Sequence, residues 1–486
     1  MVRKTLVRKG VFYDSVTLMR VSEAVQRLPG VRYAAVLMGT ELNRALLADR
    51  GFAVEAGEED LVIALEADSA AQVEDAAKTV ELLLEKRSKK GIDEAPRSVR
   101  AAMHMLGGAD LCIVSVPGRY AVREANEALR LGMDVFLFSD NVSIEDEISL
   151  KREAAAKGLL VMGPDCGTAY IGGRGIGFAN VVRAGPIGVV SAAGTGLQEA
   201  ACLLDRAGFG ISMGIGVGGR DLSREVGGLM TLAAIDRLAQ DTATRAILVI
   251  SKPPWPEVAA RVMKKLEATS VPYACVFLGQ TSTDGRAVPT IDEGCARLGE
   301  LLGIGLEAPA APEPRRAPGF VFGAYAGGTL CSQAAYIFQL LGRAPATNLS
   351  APWQDQELCS YRGDVLLDLG ADEYTRGRPH PMIDPATRAD LLRRALLNPS
   401  FSVLVFDVVL GLGSHPDPAG ELVRAIGAAG QDLASRVLVA SVTGTDRDPQ
   451  VRSAQEATLR AAGVTVCPTA ASAARFAAEA AGRERK

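Results

Sequence analysis

Apolar and polar positions follow two rhythms along the chain. Near the start, strand-like runs "KTLVRKGVFYD", "VRYAAVLMG" and "DLVIALEAD" are separated by helical spacing from Ser15 to Leu28 and from Glu41 to Asp49. A third helical stretch runs into the charged "EKRSKKGIDEAPRS". Short strands interleaved with helices predict a small α+β domain over 1–95, closed by a solvated charged boundary.

Beyond it the runs lose their polar positions. "ADLCIVSVPG", "MDVFLFSD", "LLVMGPDCGT", "GPIGVVS", "GISMGIGVG", "RAILVIS" and "YACVFLG" are nearly continuous apolar segments alternating with helical ones. Strands apolar on both faces belong to parallel sheets covered on both sides. The fold class predicted is therefore α/β, with a Rossmann-like domain over 96–180 and a doubly wound flavodoxin-type domain over 181–305. The Pro-rich "LEAPAAPEPRRAP" marks a linker over 306–318. "GFVFGAYAGGTLCSQAAYIFQLLG", "DVLLDLG", "SVLVFDVVLGLG", "RVLVASVTG" and "GVTVCP" then predict a second flavodoxin-type domain over 319–486.

Composition narrows the functions. A chain of 486 residues exceeds one core at roughly 150 residues per domain. Its net charge of -4 supplies no basic field for nucleic acid or an anionic membrane. "MVRKTLVRKGVFYDS" lacks the apolar run of a signal peptide, and no segment approaches the roughly 20 apolar residues of a membrane span, so the expected location is cytoplasmic. The eight cysteines lie far apart without a C-x-x-C pair, and only His104, His380 and His415 are present. Neither a disulfide framework nor a metal site is expected.

The chemistry points instead to anions. In "VVSAAGTGLQEAACLL" an apolar strand passes through Ser191, Ala193, Gly194, Thr195 and Gly196 into a helix. Small residues let backbone N–H groups approach a ligand, and a helix start leaves several of them unpaired, which suits phosphate. "AYAGGTLCSQAAYI" echoes this turn, making Gly327, Gly328 and Thr329 a secondary anion site and suggesting an internal duplication. Further glycines at strand ends include Gly411 and Gly413, beside Ser414. No P-loop is present, and no G-x-G-x-x-G with a following acidic residue.

Two residues are candidate catalysts. His415 follows a strand end, where it can donate to an oxyanion, act as acid or base, carry a phosphoryl group, or serve only as a loop residue. Glu199 in the first turn of its helix either favours the helix dipole or orients a reacting group. Arg376 and Arg378 are candidates for holding a substrate carboxylate. His380, between prolines, reads as structural, and Cys166 as a buried or near-site thiol.

"SVPGRYAVREANEALRLGMDVFLFSDN", "GPDCGT" and "SAAGTGLQEAA" together resemble the succinyl-CoA synthetase α-subunit family, and "MIDPATRADLLRRALLNPSFSVLVFDVVLGLG" resembles the β-subunit's carboxy-terminal domain. With "GVFYDSVTLM", "VLMGTELNRALL" and "AYAGGTLCSQAA", the whole chain resembles the FdrA branch of that superfamily. The resemblance implies a phosphoryl group held between two helix starts, the first at Ala193 to Gly196 with Glu199 and the second at Gly411 to His415. It also implies a subunit of oxamate carbamoyltransferase in anaerobic allantoin breakdown. Its ligands would be phosphate, carbamoyl phosphate, oxalurate and oxamate. The Gly-rich CoA loop and the phosphorylated-histidine motif of the synthetases have no counterpart here; "VFLGQTSTDGRAVPTIDEG" holds no histidine. A second reading is an acyl-CoA ligase subunit with CoA near Val116 and Pro117, and a third is a non-catalytic anion-binding scaffold. All three imply a homo-oligomer and partner subunits.

Overall fold

The computed structural model describes residues 2–11, 13, 15–88, 96–305, 311–353, 358–375, 378–429 and 436–482. It divides into two compact units, Met1–Gly108 with Gly377–Pro379, and Ala109–Arg376 with His380–Lys486.

In the first unit, Leu61–Ala67 is the central strand, antiparallel to Val2–Arg8 on one side and to Val31–Met38 on the other. All but one of its residues are apolar, so both faces can be buried. Leu61, Ile63 and Leu65 pack with Leu18, Val25, Val73 and Val80 of the helices Ser15–Gln26 and Ala70–Ser88. Val62 and Ala64 face Leu47 and Phe52 on the other side. The strand Val2–Arg8 is charged and carries surface ion pairs such as Arg3–Glu66, a composition that discourages edge-to-edge pairing.

Among the described residues, the second unit contains three sheets. Leu111–Val114, Asp134–Leu137 and Val161–Met162 form a small parallel sheet in sequence order. The next sheet has seven strands, in the order Ala287–Val288, Tyr273–Phe277, Ala246–Ser251, Ala184–Ser191, Ile211–Gly216, Thr168–Ile171 and Arg174–Gly177. Its first five strands are parallel, and the Thr168–Gly177 hairpin joins antiparallel to them. That hairpin, placed by the sequence with the Rossmann-like segment, therefore belongs to the larger sheet. The third sheet is wholly parallel, in the order Ala346–Thr347, Val365–Asp368, Phe320–Tyr325, Phe401–Val409, Val437–Thr443 and Thr465–Cys467. These are α/β folds of Rossmann-like character.

In both large sheets an early strand sits inside, with later strands added on either side of it. Ala184–Ser191 and Phe320–Tyr325 are those strands, and ligands of open α/β sheets bind at the carboxyl ends of such switch points. The helices that follow them, Gly194–Arg206 and Gly328–Leu340, share one apolar core with Ile291–Leu301 and the Ala-rich Ala470–Ala480. Polar struts cross this core. The Gln333 side chain accepts from the Ile291 N–H at 2.8 Å, and Thr469 donates to Asp292 Oδ2 at 2.6 Å.

Asp292 Oδ1 is buried without a hydrogen-bond partner among the described residues. Burial pushes this carboxyl from its usual 3.8 up to about 7; the Thr469 hydroxyl pulls the other way and Glu199 adds to the rise. The folded value lies above the unfolded one, so the native state holds an extra proton between about pH 4 and 7, and stability from this group is lost as pH rises through that window. Urea denaturation at about pH 4.5 and 7.5 is expected to show Asp292→Asn gaining on the wild type at the higher pH. An unchanged difference between the two pH values would contradict this assignment.

Candidate functional site

Two helix starts meet in the second unit. Ala193 is the N-cap of Gly194–Arg206 and Gly327 that of Gly328–Leu340, and neither helix has a side-chain cap. Among the described residues, the amides of Gly194, Thr195 and Gly196 and those of Gly328 and Thr329 pair with no protein group. The two starts are in side-chain contact. A Cβ at Gly196 would lie 2.9 Å from Thr329 Cγ2, and one at Gly327 would overlap the Thr195 side chain. Gly327 has φ -152°, which any residue adopts, so its glycine is required by space rather than by backbone strain.

Side chains complete the surroundings. A Cβ at Gly328 would stand 2.5 Å from Asp368 Oδ2 and 2.7 Å from Lys252 Nζ, so an ammonium and a carboxylate converge on the second start. Thr329 is buried, and its Oγ1 has no partner among the described residues. Its position in the first turn makes that hydroxyl a spare donor beside the open amides. Ser191 organises the first start locally, accepting from the Ala193 N–H at 3.2 Å and donating to the Ala193 carbonyl at 2.8 Å. Asp407 organises the second by accepting the Ala326 N–H on both oxygens, at 2.8 and 3.1 Å.

His380 borders the same region. A Cβ at Gly370 would lie 2.7 Å from His380 Nε2 and 3.3 Å from Asp368 Oδ1. Its Nδ1 accepts the Met382 N–H at 3.2 Å, which leaves the proton of a neutral ring on Nε2. Burial, followed by the Arg388 charge, lowers its pKa to about 4, so the ring is a neutral donor at pH 7. Asp165 is solvent-exposed on one side and within charge range of Lys252; the surrounding protein, with Asp140 and Asp372, raises its carboxyl to about 6.

The sequence placed the second helix start at Gly411 to His415, whereas the start facing Gly194–Gly196 is Gly327–Thr329. The 411–415 loop is engaged elsewhere. Gly411 N–H donates to Gln450 Oε1 at 3.1 Å, Ser414 N–H to the Gly411 carbonyl at 3.3 Å, and His415 N–H to the Met382 carbonyl at 2.7 Å. A Cβ at Gly413 would press on the Phe178 ring. His415 is buried, and its Nδ1 accepts the Asp417 N–H at 3.1 Å. Glu199 is also buried, and both of its oxygens are engaged, one by the Thr443 hydroxyl and one by the Ala470 N–H at 3.1 Å. It thus ties its helix to the start of Ala470–Ala480. Arg376 lies outside the described residues, and Arg378 is exposed and groups with the first unit. Cys166 is buried, and burial pushes its thiol up to about 12, which keeps it from acting as a thiolate.

Val116 and Pro117 precede the helix Gly118–Arg130. Val116 N–H donates to Ser139 Oγ at 3.1 Å, and a Cβ at Gly118 would overlap the Asp140 carbonyl oxygen and lie 2.5 Å from that of Asn141. Carbonyl acceptors at this start do not fit the diphosphate of CoA.

Doubly wound parallel domains with two adjoining helix starts define an α/β protein of Rossmann-like character. Residues 324–480 match the CoA-ligase family, and residues 1–99 match the family described as AllF, heavy metal-associated domain. The chain is 36% identical to the uncharacterized protein YahF of Escherichia coli (strain K12), over 95% of each chain, and it belongs to the same family as that protein. It is also 28% identical to the succinate–CoA ligase [ADP-forming] subunit alpha of Methanothermobacter thermautotrophicus, over 36% of this chain and 59% of that one. The ATP citrate lyase from Methanothrix soehngenii, solved with citrate and coenzyme A, is 21% identical over 43% of this chain and 37% of that one, with a TM-score of 0.34. Residues 1–99 hold no cysteine and no histidine, and no cluster of three metal-ligating side chains occurs among the described residues. This donor set does not fit a soft heavy metal. No helix among the described residues is long and apolar enough to cross a membrane.

Proposed function

We propose that the protein is an enzyme subunit that holds the phosphoryl group of an acyl phosphate between the helix starts at Gly194–Gly196 and Gly328–Thr329. The observation that carries this reading is the side-chain contact between two uncapped starts, Thr195 against Gly327 and Thr329 against Gly196. Two sets of open amides and the Lys252 ammonium suit a dianion far better than either start alone. The resemblance to the FdrA branch supports carbamoyl as the acyl group, with oxalurate and phosphate exchanging to oxamate and carbamoyl phosphate. Phosphate oxygen attacks the ureido carbonyl, the carbonyl carbon's bond to the oxamate nitrogen breaks, and that nitrogen takes up a proton. His380 Nε2–H is the donor for the developing oxyanion, because such donors act when already in place. Asp165 is the proton carrier beside Lys252. His415 is a positioning residue, acting through its backbone bond to Met382 beside His380. Catalysis requires partner subunits, in keeping with the carbamoyltransferase and ligase readings alike.

The CoA-ligase match over 324–480 favours a second reading, an acyl-CoA ligase subunit. Calorimetric titration separates the two. Carbamoyl phosphate is expected to bind the purified chain, and Lys252→Ala to weaken that binding by about 10- to 100-fold, the equivalent of one charge-assisted hydrogen bond. CoA binding without carbamoyl phosphate binding would favour the ligase, and binding of neither would overturn both.

A further inference from the structure

Trp255 is 42% exposed, in a chain with only two tryptophans, and nothing in the phosphoryl site uses it. It stands in "KPPWPE", flanked by Pro254 and Pro256, and its backbone N–H donates to the Leu222 carbonyl at 3.0 Å. Prolines fix φ, so the indole is carried on a stiff segment. The Arg224 guanidinium lies over the ring at 5.4 Å from its centroid. A cavity of about 340 Å³ opens here, lined by Arg224, Trp255, Glu257, Val258 and Arg261. The Arg261 guanidinium is anchored by Nη2 to the Gly227 carbonyl at 2.9 Å, which fixes its place while leaving further N–H donors. Trp255 is also the N-cap of the helix Pro256–Glu267, which has no side-chain cap.

We infer that this cavity is a nucleotide site, distinct from the phosphoryl site. Each lining group matches one part of a nucleoside phosphate. The indole offers a stacking face to the base, and Val258 extends the apolar floor. The two guanidiniums take the phosphates. Glu257 accepts from ribose hydroxyls, the role a carboxylate takes beside dinucleotides elsewhere. The volume lies within the usual range for small-ligand pockets, about 300–1,000 Å³. An acidic segment of a partner protein would use the arginines but would leave the ribose acceptor and the stacking face without purpose.

The test is an ADP titration of the full chain carrying Trp353→Phe, with Trp255 fluorescence and calorimetry read together. Saturable quenching with matching heat is expected. Trp255→Ala, followed by calorimetry alone, should weaken ADP about tenfold or more, the scale of one stacked base. Arg224→Ala with Arg261→Ala should weaken it similarly and reduce its salt dependence. Glu257→Gln should weaken ADP but leave inorganic pyrophosphate unchanged. Gly194→Val should leave ADP binding intact, which separates this site from the phosphoryl site. Absence of saturable ADP binding, binding that survives the Trp255 and arginine changes, or binding lost with Gly194→Val would each overturn the assignment. So would an acidic peptide competing fully while pyrophosphate does not.

Discussion

Gly327→Val is expected to weaken carbamoyl phosphate binding by about 10- to 100-fold in calorimetry. The estimate converts the cost of overpacking a tight contact, about 1–3 kcal/mol, into affinity. The clash is specific. A Cβ at Gly327 falls within the Thr195 side chain, with Thr195 Cβ at 2.8 Å, so the added bulk must separate the two helix starts. Thr195→Gly placed in the same chain removes the opposing atoms and should recover part of the lost affinity. Gly427→Val provides the control, because nothing lies within 4 Å of a Cβ there. A Gly327→Val protein that binds carbamoyl phosphate like the wild type would show that the two starts do not share one ligand.

Asp407→Ala is expected to have the largest effect on stability, about 3–5 kcal/mol in urea denaturation, the range for breaking a buried ion pair. Arg388 and Asp407 are both buried, and Arg388 Nη1 donates to Asp407 Oδ1 and to the Asp407 carbonyl, each at 2.7 Å. Removing the carboxylate leaves a buried guanidinium without a counter-charge and strips the Ala326 N–H of its acceptor. That amide precedes the Gly327 N-cap, so the same change should also loosen the second helix start. Replacing the pair together, as Arg388→Met with Asp407→Leu, should restore much of the stability, since well-packed apolar groups often equal a buried pair. Anion affinity should stay low in the double variant, because Ala326 N–H still lacks its partner. A loss below about 1 kcal/mol for Asp407→Ala would contradict the assignment of this pair as a buried strut.

The fold was legible because its signals are local. Continuous apolar runs such as "RAILVIS" and "SVLVFDVVLG" became the parallel strands Ala246–Ser251 and Phe401–Val409. The first helix start was legible for the same reason: strand, small residues and helix lie together in "VVSAAGTGLQEAACLL". Its partner was not, because Gly327–Thr329 and Gly411–His415 both follow apolar strands and only tertiary packing decides which one faces Thr195. One signal did favour the former. "AYAGGTLCSQAA" echoes "SAAGTGLQEAA", and duplicated units commonly bring their equivalent turns together. Lys252 escaped notice, and His380 read as structural, because proline-flanked segments carry no periodic pattern. Glu199 looked catalytic from its place in the first helical turn, yet it is bound by Thr443 and Ala470, residues far along the chain.

The most direct measurement is a crystal structure of the protein soaked in phosphate. The account predicts a tetrahedral anion bonded to amides of both starts, at Gly194–Gly196 and at Gly328–Thr329, with Lys252 Nζ and Thr329 Oγ1 as further donors. An anion held by one start alone, or seated at Gly411–His415 and not against both starts, would contradict it.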